Sequence, residues 1–210
     1  MKKIAIVDYG MGNLHSVKKA LERSAPKSQI VVTSSSSEID ESDKIVLPGV
    51  GAIGDCVKAL RDSNLDKAII NNVGSKPLLA ICVGMQLLLD CSQENNLTQG
   101  LGLIKGNVKK FRRDKENLDI KIPHMGWNTV KQSKKHFMWS GIPDDSYFYF
   151  VHSYACELLD STQGISQHGI DFSAAIAGRN IFGVQFHPEK SQQIGLKIYE
   201  NFSKWEGDKS

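Results

Sequence analysis

Three times in its first half the chain runs through a short apolar stretch, meets glycine and resumes as a helix. The stretches are KIAIVDYG (Lys3 to Gly10), KIVLPGVGAIGD (Lys44 to Asp55) and PLLAICVGMQLLLDCSQ (Pro77 to Gln93). Continuous apolar runs of this length, stopped by a turn residue, read as strands buried on both faces. Strands alternating with helical stretches give a parallel sheet covered by helices on both sides. QIVVT (Gln29 to Thr33) adds another strand. Asn13 stands where it can cap a helix whose apolar positions are Val17, Ala20 and Leu21. The polar tract Ser34 to Asp43 reads as a loop with one helical turn. The helix after Gly51 runs on through Val57, Leu60 and Arg61.

Past Gly100 the texture changes. GLGLIKGNVKKF, IPHMGWNTVKQ, SYFYFVHSYACEL and DFSAAIAGRNIFGVQFHPE read as short strands joined by turns. A helix returns at Gln193 to Trp205, where Ile194, Ile198 and Phe202 recur at helical spacing. The expected fold is α/β: a mostly parallel open sheet flanked by helices, with a β-rich second half. The 210 residues suit one domain spanning 1–210.

Several partner classes find no support in the composition. A net charge of +3 is too small to argue for nucleic acid. The basic run KKFRRDK (Lys109 to Lys115) reads as a solvated loop. The apolar stretch near the N-terminus is too short for a signal peptide. The longest apolar run, broken by Gly84 and Gln86, falls short of the ~20 residues a membrane helix needs. Cys56, Cys82, Cys91 and Cys156 show no C-x-x-C spacing. They read as free thiols in a reducing cytoplasm. His15, His124, His136, His152 and His168 are scattered without paired ligand spacing, so no metal is expected. No phosphate or dinucleotide loop appears, and no cofactor is expected.

The chemistry centres on Cys82. It ends an apolar strand, and Gly84 follows in a helix start. A strand-to-helix turn of this kind strains the backbone of its turn residue and needs small neighbours. The helix N-terminus favours negative charge at the sulfur and can hold a developing oxyanion. A buried cysteine is more often mere packing, so a base is needed. FGVQFHPEKS (Phe182 to Ser191) offers one. Val184 to Phe186 reads as a strand with His187 at its end. Glu189 lies two residues on, on the same face of an extended chain, with Pro188 fixing the backbone between them. Glu189 can then hold Nδ1 and leave Nε2 for the thiol. LPGVG (Leu47 to Gly51) places two glycines around Val50, a backbone able to turn N–H groups toward a ligand.

ICVGMQ, LPGVG and FHPE together resemble the class I (triad) glutamine amidotransferases, a flavodoxin-like family. DYGMGN, PHMGWN, YFVHSY and VQFHPEKS narrow the likeness to the glutaminase subunits of imidazole glycerol phosphate synthase. The resemblance spans essentially the whole chain. One departure is Ala80, where the family usually has glycine two residues before the nucleophile. The resemblance implies a Cys82–His187–Glu189 triad that hydrolyses glutamine. It implies oxyanion donors at the Val50–Gly51 turn and Val83, and substrate contacts at Gln86, Ser153 and Tyr154. It further implies a heterodimer partner, a (β/α)8-barrel synthase subunit, with Asn13, Trp127, Tyr149 and Lys190 lining the interface. That synthase makes imidazole glycerol phosphate and an aminoimidazole carboxamide nucleotide in histidine biosynthesis. Paralogues of these glutaminases feed ammonia to synthases that amidate nucleotide-linked sugars. Met11, Met125 and Trp127 are read as sitting in glycine-rich turns, where exposure would suit a partner.

Overall fold

The computed structural model describes residues 1–112 and 120–208. β1 (Lys3–Val7) leads into α1 (Leu14–Ser24), and β2 (Gln29–Thr33) into the short α2 (Ser36–Asp40). β3 (Lys44–Gly49) is followed by α3 (Ile53–Asp62) and α4 (Leu65–Asn72), and β4 (Leu78–Cys82) passes directly into α5 (Val83–Leu87). Then come the two-residue strands β5 (Cys91–Ser92) and β6 (Thr98–Gln99), β7 (Asn107–Lys110), β8 (His124–Gln132) and β9 (Ser146–His152). β10 (Tyr154–Cys156), β11 (Thr162–His168), β12 (Ile170–Gly178), β13 (Ile181–Val184) and α6 (Gln192–Lys204) complete the described strands and α-helices, with 3-10 turns at Phe137–Trp139 and Pro188–Lys190.

Nine strands form one sheet in the order β2-β1-β3-β4-β13-β12-β11-β8-β9. The pairings from β2 across to β13 are parallel. From β13 to β9 they are antiparallel. The parallel part has the flavodoxin-like order, with the chain moving outward from β1 in both directions. A smaller sheet, β10-β7-β5-β6, packs beside it. The expected class, parallel first and β-rich second, is the class observed.

Burial follows the apolar pattern. All five residues of β4 and all six of β3 are buried. In α1 the buried residues are Val17, Ala20 and Leu21, the stripe that the spacing assigns to the core. In α6, Ile198 and Phe202 are buried and Ile194 packs against the core from its edge. Fully burying one large aliphatic side chain contributes ~1.5–3 kcal/mol. Such strands can therefore carry local strain at their ends.

Several expectations need correction. Asn13 occupies the N-cap position of α1, but its side chain makes no capping hydrogen bond. KKFRRDK is not simply a solvated loop: Lys109 and Lys110 lie on β7, Lys109 pairs with Glu157, and Phe111 is buried. The remainder of that run from Arg113 lies outside the described residues. Met125 and Trp127 stand on β8, not in turns. The strand before His187 stops at Val184, two residues earlier than expected. α4 and β11 were not anticipated. LDKAIINN ends in two asparagines, and TQGISQH is rich in residues of low strand propensity; packing overrides both.

Ala80 is accommodated without a break in pairing. It lies between Leu47 of β3 and Gly183 of β13 in the parallel register. In-register neighbours share a sheet face, and Gly183 leaves that face without a side chain beside Ala80. The five parallel strands, β2, β1, β3, β4 and β13, send their carboxyl ends to one edge. The turns carrying Gly49, Cys82 and His187 gather there.

Candidate functional site

A cavity of about 450 Å³ opens at this edge, lined among others by Val50, Gly51, Cys82, Val83, Gln86, His152, Ser153, Tyr154 and His187. Glu94 and Lys190 complete its charged wall. A larger groove lies elsewhere, between α1 and α6, and its lining includes neither a cysteine nor a histidine.

Cys82 sits at φ 55°, ψ −113°. A non-glycine residue held at positive φ costs on the order of 1–3 kcal/mol. The buried strand before it and the helix after it impose that geometry. Gly84 makes the crossing feasible: a Cβ there would stand 2.1 Å from the Leu47 carbonyl oxygen. Gly49 meets the turn from the other side, its would-be Cβ 2.6 Å from the Gly84 nitrogen. The end of β3 and the start of α5 thus touch backbone to backbone. The Tyr9 hydroxyl fixes this junction by donating to the Pro48 carbonyl at 2.8 Å. Gly51 adopts φ 89°. The Val50 carbonyl accepts from Cys56 Sγ at 3.4 Å. The trans peptide therefore sends the Gly51 N–H the opposite way.

His187 is buried, and its Nδ1 lies 2.8 Å from Glu189 Oε1. The contact forms, but not through an extended chain. Pro188–Lys190 is a turn of 3-10 helix that swings the carboxylate back under the ring. Glu189 Oε2 also accepts from the Tyr199 hydroxyl at 3.4 Å. The His187 N–H donates to the Tyr149 carbonyl at 2.9 Å, and Ser191 Oγ donates to the His187 carbonyl at 2.7 Å. Ring, carboxylate and supporting turn are held from three elements. Nε2 is buried, and among the described residues it has the Cys82 sulfur facing it and no closer hydrogen-bond partner. Burial disfavours charge on this ring, but the facing Cys82 sulfur and the Glu189 carboxylate outweigh it and raise the pKa to about 10. The structure brings Cys82, His187 and Glu189 into one site.

Of the other expected residues, Gln86 is buried and donates Nε2 to the Tyr154 carbonyl at 3.0 Å and to Gln185 Oε1 at 2.9 Å. Ser153 and Tyr154 line the cavity. Trp127 and Tyr149 face each other across β8 and β9 with rings 6.1 Å apart. Lys190 Nζ stands 5.6 Å from the Tyr149 ring centre. Trp127 is 47% exposed and Met125 67% exposed, so neither is a core residue. Asn13 stands at the head of α1.

The histidines are not scattered in space. His124 Nδ1 lies 2.9 Å from His152 Nε2, and His152 Nδ1 lies 2.8 Å from the Tyr154 carbonyl. His168 stacks on His124 with ring centres 4.2 Å apart. A carbonyl only accepts, so His152 donates from Nδ1, accepts at Nε2, and His124 donates to it. Burial, helped by neighbouring imidazoles, lowers His124 to about 4 and His152 to about 3. The rings bond to one another instead of converging on a shared point. Among the described residues no group of three or more His, Cys, Asp or Glu is arranged to hold a metal ion. Sequence reading missed this chain because its members are far apart, and missed Tyr9 and Gln185 because neither residue type advertises a role.

The sequence profile "Glutamine amidotransferase class-I" matches residues 5–204. The imidazole glycerol phosphate synthase subunit HisH of Nitrosospira multiformis is 47% identical over 98% of this chain and 99% of its own length. The chain belongs to the class I glutamine amidotransferases. Within them it groups with the HisH subunits: the Pseudomonas syringae HisH is 46% identical over 99% of both chains. Among solved structures, a putative GMP synthase subunit from Thermoplasma acidophilum superposes with a TM-score of 0.70 at 26% identity, covering 97% of this chain and 93% of its own. Family membership accounts for the fold. Among the described residues no helix is long and apolar enough to cross a membrane.

Proposed function

We propose that this glutamine amidotransferase hydrolyses glutamine at Cys82. We propose further that it hands the ammonia to a (β/α)8-barrel synthase subunit making imidazole glycerol phosphate and an aminoimidazole carboxamide nucleotide. The observation that carries the chemistry is the buried His187 ring facing the Cys82 sulfur in one cavity while Glu189 holds Nδ1. The histidine-pathway assignment draws on full-length similarity to HisH subunits.

In this reading the Cys82 sulfur bonds to the side-chain amide carbon of glutamine, its proton held by His187 Nε2. The carbonyl electrons move onto oxygen, and the N–H groups of Val83 and Gly51 donate hydrogen bonds to the oxyanion. Such donors contribute about 3 kcal/mol each in related acyl transfers. The C–N bond then breaks, His187 returns the proton, and ammonia leaves a thioester. Water, deprotonated by His187, attacks the thioester carbon; the C–S bond breaks with its electron pair going to sulfur, glutamate departs, and the proton on His187 is again shared with the Cys82 sulfur. Glu189 stabilises the imidazolium in both halves. Gln86, Ser153 and Tyr154 contact the substrate. Asn13, Trp127, Tyr149 and Lys190 meet the barrel, where an exposed aromatic strand pair beside the cavity suits a docking surface. The free thiols suit a cytoplasmic working place.

The test is co-purification with a barrel subunit from the same cell, and rescue of a histidine auxotroph lacking its own glutaminase subunit. Binding and rescue are expected. Failure of rescue, together with glutamine-dependent amidation of a nucleotide-linked sugar by another partner, would move the protein to that paralogous role.

Glu189→Gln gives a sharper check on the site. The amide removes the charge that helps hold His187 protonated and can present N–H to Nδ1, enforcing the wrong tautomer. The corresponding change in a serine triad costs ~10⁴ in kcat, and a loss of ~10³–10⁴ in glutamine hydrolysis is expected. The pH dependence follows from the raised His187 pKa. Its stabilising contribution is complete below the ordinary value near 6.5 and is lost as pH rises through about 10. In Glu189→Gln that alkaline loss moves to lower pH, readable as melting temperature against pH. Unchanged kinetics would remove Glu189 from the triad.

A further inference from the structure

The reacting sulfur has a polar neighbour that the mechanism above leaves unused. Gln185 follows β13 and is completely buried. Its backbone N–H donates to the Ala174 carbonyl at 2.9 Å. Its side-chain Nε2 lies 3.7 Å from Cys82 Sγ. A buried amide must satisfy both its ends or lose ~1–3 kcal/mol for each polar atom left bare, so the direction in which it points has consequences.

Amide oxygen and nitrogen are told apart only by their partners. Here a backbone carbonyl settles the matter. The Tyr154 oxygen can only accept, and it stands 3.0 Å from the Gln86 side-chain amide; that atom of Gln86 is therefore its NH2. The same NH2 lies 2.9 Å from the end of Gln185, whose facing atom must be the acceptor Oε1. The other end of Gln185 is then its NH2, and it faces the sulfur. His152, donating to the same Tyr154 carbonyl, steadies the reference point from behind.

We propose that Gln185 is a standing N–H donor to the Cys82 sulfur. It stabilises the thiolate before attack, and again when the thioester C–S bond breaks and its electron pair returns to sulfur. The N–H proton stays on Gln185 throughout; the proton that moves belongs to His187. Gln185 touches the reacting atom and so acts directly on it, as a fixed dipole in a site shielded from water. The proposal rests on the glutaminase reading only for the identity of the acyl group.

The test uses Gln185→Met, which keeps an unbranched side chain of similar volume and lacks the donor. Iodoacetamide labelling of Cys82 is followed against pH, quantified on the peptide that contains it. The other titratable groups around the sulfur stay in place: His187, Lys190, Glu94, His152 and Tyr154 in the cavity, Tyr9 and Cys56 behind it. The labelling midpoint is expected to rise by about one pH unit, and kcat for glutamine to fall about ten- to a hundredfold, the range for a lost hydrogen bond to a charged group. A packing role alone would lower the melting temperature and leave the midpoint where it was. A folded Gln185→Met protein that labels with the wild-type midpoint overturns the proposal. If that variant does not fold, Gln185→Leu gives the same reading under the same criterion. The labelling needs no glutamine, so a midpoint raised by Gln185→Met, together with wild-type protein that releases no ammonia from glutamine in the presence of its synthase partner, would refute the glutaminase reading and leave this assignment standing.

Discussion

Cys82→Ala abolishes glutamine hydrolysis while the synthase reaction continues on ammonium salts: that is the expected result with the largest effect. Removing the nucleophile of a serine triad costs on the order of 10⁶ in kcat, which takes turnover here below detection. Among the described residues no other thiol lines the cavity. Cys56, the other cysteine beside it, has its Sγ engaged with the Val50 carbonyl, and burial raises its pKa to about 11. The fold should tolerate the change. Besides facing the His187 ring, the Cys82 sulfur makes long contacts, 4.0 Å to the Val151 carbonyl and 3.7 Å to Gln185 Nε2. Alanine also keeps the positive φ, so the turn neither gains nor loses its strain. The melting temperature is therefore expected within a few degrees of wild type. Assay of ammonia release from glutamine, beside ammonium-driven turnover of the assembled synthase, checks both halves. Retained glutaminase activity would remove Cys82 from the mechanism; loss of ammonium-driven turnover would mean that the substitution damages the complex and not the chemistry.

Much of this was legible because the decisive signals are local. A strand buried on both faces is a run of apolar residues, and a strand-to-helix turn around Cys82 needs glycine where Gly84 stands. The positions that sequence reading placed less well depend on contacts between distant segments. Glu189 reaches His187 through a 3-10 turn, which two-residue spacing in an extended chain does not describe. Trp127 and Met125 look like turn residues because of Gly126, yet the backbone stays paired with β9 through Gly126. The polarity of Gln185 is set by a carbonyl far earlier in the chain, at Tyr154, acting through Gln86. Histidines at 124, 152 and 168 meet because β8 begins between the ends of β9 and β11, a fact of topology that no spacing rule carries. Hydrophobic periodicity specifies elements; hydrogen-bond direction is specified only once the elements are assembled.

Gly84→Ala carries the second large effect, and it separates backbone geometry from side-chain chemistry. The added Cβ would stand 2.1 Å from the Leu47 carbonyl oxygen and 3.1 Å from its carbon. The obstacle is strand backbone, so no rotamer change relieves it. α5 must move away from β3, or β3 must bend. Overpacking of this kind costs ~1–3 kcal/mol and sometimes more; at the upper end the melting temperature falls by ~6–12 °C for a chain of this size. Activity should suffer more than stability. Moving α5 shifts the Val83 N–H relative to the Gly51 turn, and misaligning one such donor costs ~10²–10³ in kcat. Gly74→Ala is the matched control: it sits after α4 with no atom within 4 Å of a new Cβ and no positive φ. It is expected to stay within about 0.5 kcal/mol of wild type. Thermal denaturation and glutamine hydrolysis measured on both variants decide the matter. If Gly84→Ala melts and turns over like Gly74→Ala, the close approach of β3 to the nucleophile turn is not what holds Cys82 in its strained geometry.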